Sequence, residues 1–247
     1  MRSRCAVALR VAAYALLGAF LLWPQRFAPL FAPLTRHGAP PIYDQGDLLA
    51  LALAHLAVVG CAAAASTVVA VVLGILVTRA AGADFLPLSR TLVNVGQTFP
   101  PVAVLAVAVP LVGFGEKPTL MALFAYGLLP IFENTIAGLE SCPAALLEAA
   151  SGMGMSDAER LRSVELPLAL PLILAGVRMS LVVGMGTATI GSTVGAKGLG
   201  EVIIAGLLSD NAAFILQGGL ATALMAILLH DAVSAVERRC VRAARTA

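Results

Sequence analysis

The stretch from Glu148 to Pro167, "EAASGMGMSDAERLRSVELP", decides the fold because it is a polar island in a very apolar chain. Within twenty residues it holds charges of both signs, two glycines, a helix-start signal and a closing proline. The whole chain has 247 residues, of which 60% are hydrophobic and 12% charged. So few charges on so apolar a chain place it among integral membrane proteins.

Working outward from the island, runs of the roughly 20 apolar residues that a bilayer span requires fall at 5–23, 48–78, 91–114, 118–138, 168–194 and 212–234. The reading is an all-α membrane protein of six spans forming one domain over residues 1–247, with the island inside a loop at 139–167. The second run exceeds a bilayer core, so its first turns around His55 are expected to project or tilt. The first run is read as a retained span: no A-x-A-like site follows Trp23, and the run is longer than a signal peptide's apolar region.

Positive residues set the orientation. With the N-terminus inside, Arg2, Arg4, Arg79, Arg90, Arg160, Arg162, Arg238, Arg239, Arg242 and Arg245 are cytoplasmic, against Arg26, Arg36, Lys117 and Lys197 outside. Ten against four puts both termini and the island on the cytoplasmic side. A net charge of +2 follows from this bias and gives no nucleic-acid surface. Cys5, Cys61, Cys142 and Cys240 are scattered without a C-x-x-C pair, which indicates neither a disulfide framework nor a zinc site. No metal or cofactor is called for.

The outside stretch 24–46 carries five prolines and reads as a loop. In the third run, "GQTFPP" sets Pro100 and Pro101 after Gln97 and Thr98. Backbone hydrogen bonds lost at membrane depth are tolerated where the chain is buried in protein or lines a watery cavity, so these four residues are either a candidate solute path or a packed proline kink. In the fifth run Gly176, Ser180, Gly184, Ala188 and Ser192 recur every fourth residue. Such a small face lets helix backbones approach closely, against an internal helix or against a second copy.

Inside the island, Pro143 suits a first helical position, with Ser141 as a substitute for the missing cap. Ser156 and Glu159 make an S-x-x-E capping box, and the short helix they start is expected to end near Leu166, before Pro167. Two short helices with a glycine elbow result. Their apolar face beside Glu148 either lies in a partner's groove or covers the ends of the bundle.

Glu148-Ala149-Ala150, three residues, Gly154, nine residues, then Val164-Glu165-Leu166-Pro167 resembles the "EAA" loop of permease subunits in binding-protein-dependent ABC importers, with Val164 in place of isoleucine. "GQTFPPVAVLAVAVPLVGFG", "ELPLALPLILAGVR" and "GTATIGSTVGAKGLG" are similar to the osmoprotectant branch of that family, the glycine betaine and choline importers, and to its YehW-type permeases. The resemblance implies a type I importer permease fold. It also implies that Glu148, Ala149, Ala150, Gly154, Val164, Leu166 and Pro167 couple the spans to a cytosolic ABC ATPase. Further partners would be a second permease subunit, identical or paralogous, and an extracytoplasmic solute-binding protein, with the chain embedded in the inner membrane. The solute could be glycine betaine, choline, another betaine or an amino acid. Glu133 departs from the family pattern; an acid there is costly unless paired or wet, and Arg178 is one candidate partner.

Other chemistries fail on spacing. "GSTVGAKG" lacks the Walker frame, because Gly191 is one residue too close and Lys197 is followed by glycine. Ser192 has no G-x-S-x-G frame for an intramembrane protease, and neither His55 nor His230 is tied to it. An ion-coupled transporter would call for intramembrane acids or inverted repeats, and the chain shows few of the first and no evident sign of the second.

Overall fold

The structure is a computed structural model that describes residues 2–36 and 38–246, with side chains described for 8–36 and 38–241. Arg2, Arg4, Cys5, Arg242 and Arg245, which entered the readings above, have side chains outside that range. Among the described residues the regular structure is entirely helical: α1 Arg2–Leu22, α2 Leu48–Thr78, α3 Leu86–Thr98, α4 Pro101–Val112, α5 Glu116–Glu140, α6 Ala144–Gly152, α7 Asp157–Arg160, α8 Leu166–Gly191, α9 Leu199–Leu208 and α10 Ala212–Thr246. Four stretches are long and apolar enough to cross a membrane, Leu48–Thr78, Glu116–Glu140, Asp157–Val194 and Ala212–Val241. Counting two broken pairs as one span each gives up to six.

Those breaks fall at the end of the first of the six runs and inside the third. After α1 the chain bends by 114° into the stretch Pro24–Leu34, which is a series of short helical turns, Pro24–Phe27, Ala28–Phe31 and Ala32–Leu34, rather than an irregular loop. Each turn has a proline in its first two positions, where the missing N–H has no helical partner to lose. The run at 91–114 is likewise no single helix. Phe99, held extended at φ −83° and ψ 136° ahead of Pro100, ends α3, and Pro101 opens α4.

Contacts divide the chain into two compact units. One comprises Met1–Cys61, Pro101–Ala122 and Gly184–Leu228. Its core is built on Met185, Leu199, Val202 and Phe214, all fully buried. Here the beginning of α2 is packed against protein: Leu48, Ala52 and His55 are buried, and His55 Nε2 lies 3.0 Å from the Met185 carbonyl oxygen. Gln217 ties the preceding loop down by accepting from Tyr43 N–H and donating to the Pro41 carbonyl. The ten-residue α9, absent from the sequence reading, is capped by the Glu201 carboxylate accepting from Gly198 N–H at 3.2 Å. It is too short to span.

The other unit comprises Ala62–Pro100, Leu123–Val183 and Leu229–Ala247. Ala70, Val77, Val93, Ile131, Phe132 and Ile136 form its main core, and Leu139, Ala169 and Ile173 a second cluster. Apolar burial drives no helix association inside lipid, so close backbone packing has to. Gly176 of α8 sits against α5 so closely that a Cβ there would stand 2.6 Å from the Pro130 carbonyl oxygen. Gly127 of α5 would meet Ser180 Oγ at 2.7 Å in the same way.

Candidate functional site

The polar loop begins where α5 ends. Ser141 gives its hydroxyl to the Gly138 carbonyl at 2.8 Å and does not cap α6, whose N-cap is Pro143 with no side-chain bond. Helix α6 then closes on a positive-φ glycine. Gly154 takes φ +84°, its N–H bonds the Ser151 carbonyl, and the next N–H, of Met155, reaches back to Ala150. This is the left-handed closure that glycine adopts without steric cost.

Ser156 restarts the helix with a reciprocal capping box: its N–H donates to Glu159 Oε2 at 2.8 Å and its Oγ accepts from Glu159 N–H. The new helix does not stop before Pro167. One π-helical turn, Leu161–Glu165, carries it into α8, with Leu166 N–H bonded to the Leu161 carbonyl. A wider turn ahead of a proline relieves the clash of its ring with the carbonyl four residues back, so the helix passes a residue that should end it.

Among the proposed coupling positions, Glu148, Ala149, Gly154 and Pro167 are exposed, Ala150 is buried, and Val164 and Leu166 are half-buried. Leu166 packs on the Leu139–Ala169–Ile173 cluster. Leu146 and Met153 extend the exposed face, at 42% and 71% exposure. Glu165, not singled out from sequence, is the anchor. Its carboxylate is buried and accepts from Arg79 Nη1 at 3.1 Å, from Arg79 Nη2, and from Arg160 Nε at 3.2 Å. Arg160 also donates to Ser151 Oγ of α6 at 3.1 Å. One acidic group thus ties the loop to the residue just after α2 and, through Arg160, to α6. Its only trace in sequence is a lone acid in "SVELPLAL".

The four path residues cluster around the break after α3. Gln97, Thr98 and Pro100 are exposed and Pro101 is half-buried. Thr98 Oγ1 merely donates to Val95 O at 2.8 Å, but Gln97 makes a long-range contact. Its Nε2 donates to the Tyr126 carbonyl of α5 at 2.8 Å. That carbonyl would ordinarily bond the N–H four residues on, which is Pro130 and has none. In return the Tyr126 hydroxyl donates to the Phe99 carbonyl at the α3 break. Two proline-made defects therefore satisfy each other.

The small face is used within the chain. Gly176, Ser180, Gly184 and Ala188 are buried and Ser192 half-buried; Gly191, beside that face, abuts Thr119 of α5, and Gly200 of α9 packs against Thr189 and Ser192. The candidate pairing of Glu133 with Arg178 does not form. Glu133 pairs with Arg90 at 3.2 Å, while Arg178 donates to Glu237 at 2.6 Å and Ser234 at 2.9 Å. A helix turns about 100° per residue. Because Pro130 and Asn134 flank Gly176, Glu133 looks sideways toward α3.

The family model described as "binding-protein-dependent transport system inner membrane component" matches residues 70–245. The chain is 42% identical over 195 residues to the osmoprotectant import permease protein OsmY of Salmonella typhimurium, covering 79% of this chain and 83% of that one. It is 38% identical to the choline transport system permease protein OpuBB of Bacillus subtilis, covering 78% and 88%. It is also 38% identical to the glycine betaine/carnitine/choline permease OpuCB of the same organism, covering 78% and 88%. Among solved structures, a chain of the MetNI methionine ABC transporter superposes with a TM-score of 0.69 at 23% identity, covering 76% of this chain and 93% of that one. A chain of an amino acid ABC transporter solved with histidines gives 0.64 at 17% identity, covering 78% and 93%. The helical order, the polar loop and these matches agree: the chain belongs to the family of binding-protein-dependent transport system inner membrane components.

Proposed function

We propose that this chain is the permease of an osmoprotectant importer that passes a quaternary ammonium solute such as glycine betaine, choline or carnitine. Permeases named for these solutes are the curated relatives it resembles over most of its length. ATP is hydrolysed by a separate cytosolic subunit, solute is delivered by an extracytoplasmic binding protein, and a second permease chain completes the pathway. Both termini and the loop 139–167 face the cytoplasm, on the balance of arginine and lysine.

The observation that carries the coupling role is the exposed, rigidly closed α6–Gly154 elbow anchored through Glu165. Glu148, Ala149 and Gly154 offer a surface with nothing of this chain over it, while Arg79 and Arg160 make the elbow move with the long helices. A force applied at α6 is passed to the spans rather than absorbed.

The test is ATP-driven uptake of labelled glycine betaine, choline and carnitine by the chain reconstituted with its ATPase and binding protein. Glu148→Lys reverses the charge on the elbow, and Gly154→Pro demands φ near −65° where the chain has +84°. Either variant is expected to reach the membrane and to lose uptake. Normal uptake in either, or uptake without the ATPase, overturns the assignment.

A further inference from the structure

A depression beside the α3 break is lined by Gln97, Tyr126, Leu129, Glu133, Met179 and Val183. Glu133 lies seven residues, or about 10 Å of helix rise, before the last residue of α5. A charged group at that depth faces a protein interior or a watery cavity, not lipid. We propose that this depression is a subsite for the trimethylammonium group of the transported solute, with Glu133 as its counter-charge. The proposal rests on the osmoprotectant reading above.

Three features favour this chemistry. The Arg90–Glu133 pair is a two-point contact at 3.2 and 3.3 Å, longer than the 2.6 Å contact of Arg178–Glu237, and it is open to solvent. Its side chains are 43% and 38% exposed, against 26% for each partner of the tighter pair. A cation entering the depression reaches a carboxylate that is partly exposed.

Secondly, the walls suit a cation without N–H groups. Tyr126 supplies an aromatic ring, fixed at its hydroxyl by Phe99 O, for a cation–π contact. Met179 adds a polarizable thioether, and Leu129 and Val183 add apolar surface. Thirdly, two backbone carbonyls beside the depression are already committed. The Tyr126 carbonyl is bonded by Gln97 and the Pro130 carbonyl by Asn134 at 2.7 Å. A primary ammonium needs several acceptors, whereas a trimethylammonium group needs only charge and soft surface.

The test uses the complete importer in proteoliposomes, with the initial uptake rate of each labelled quaternary ammonium measured against its concentration. Glu133→Gln is expected to cut the maximal rate about tenfold, within the range of a lost cation contact, and to leave the half-saturating concentration, set by the binding protein, unchanged. Arg90→Gln frees the carboxylate without removing it and is expected to keep at least half the rate. Should the two variants fall together, Glu133 is only half of a structural ion pair and the subsite is refuted; an unaltered Glu133→Gln refutes it equally. Met179→Arg, at an exposed position, sets a tethered cation in the depression and is expected to lower uptake about tenfold. Normal uptake there overturns the proposal even if Glu133→Gln does not assemble. Failure of the unaltered importer to move any quaternary ammonium removes the osmoprotectant reading itself, whereas normal transport with matched variants removes only the subsite.

Discussion

Replacing Glu165 with alanine should unlatch the polar loop, and a cysteine beside it reports the event. Glu165 is 4% exposed, with Arg79 and Arg160 on its carboxylate. Breaking a buried ion pair by removing one partner costs about 3–5 kcal/mol. Here the arginine side chains keep 28% and 24% of their surface in contact with solvent, so they are partly rehydrated and the low end, about 3 kcal/mol, applies. At about 1.4 kcal/mol per factor of ten, the open loop becomes roughly a hundredfold more populated. Cys142 is 8% exposed, with Sγ 3.9 Å from the Glu165 carbonyl oxygen. Burial first, and then the Glu165 charge, push its thiol up from its ordinary value against the opposing pull of Arg79, so the closed form holds little thiolate at neutral pH. With Cys5, Cys61 and Cys240 changed to serine, maleimide labelling in inside-out vesicles reads Cys142 alone. When opening is fast relative to labelling, the rate follows the open population. Labelling should accelerate by one to two orders of magnitude in Glu165→Ala, and most of that should remain in a variant lacking both Arg79 and Arg160 side chains. Equal labelling in the parent and Glu165→Ala proteins would show that the carboxylate does not hold the loop down.

Two further outcomes follow from the packing of α5. Gly176→Val places its Cβ 2.6 Å from the Pro130 carbonyl oxygen and 2.9 Å from Ile131 Cα; both are backbone atoms that cannot swing away, so a loss of about 1–3 kcal/mol or more is expected, read as a lowered melting temperature in detergent. The same change at Gly186, where a Cβ meets nothing within 4 Å, should be near neutral. Gln97→Leu leaves the Tyr126 carbonyl without the N–H that replaces Pro130's, at about 1–3 kcal/mol, and a Gln97→Asn variant, too short to reach, should lower the melting temperature similarly.

Much of this architecture was legible because its signals are local. A long apolar run needs no partner to be read, which is why α2 stands out, and the Ser156–Glu159 box is written within four residues. Legibility failed where one element answers a defect in another. Pro100 and Pro101 announce a break, but nothing near them says that Tyr126 closes it, or that Gln97 is committed to a carbonyl vacated by Pro130. Pro167 reads as a helix end because the rule concerns a regular turn, whereas the structure passes it with a π-turn whose Leu161, with Leu166 after it, packs on the Leu139 cluster. The pairing of Glu133 with Arg90 is hidden for the same reason: its depth is legible in sequence, whereas the direction it faces depends on which side of α5 the Gly176 contact occupies.

These misses share a physical origin that bears on mechanism. In lipid every backbone polar group requires a partner, and for the carbonyl that Pro130 leaves vacant the partner is a side chain of another helix. Two such pairs, Gln97 with the Tyr126 carbonyl and Tyr126 with the Phe99 carbonyl, stand where regular helical bonds would. The α3 break is therefore a place where the chain can deform without tearing a regular helix. The tightly packed stripe around Gly176 is the opposite, with backbone on backbone and no slack.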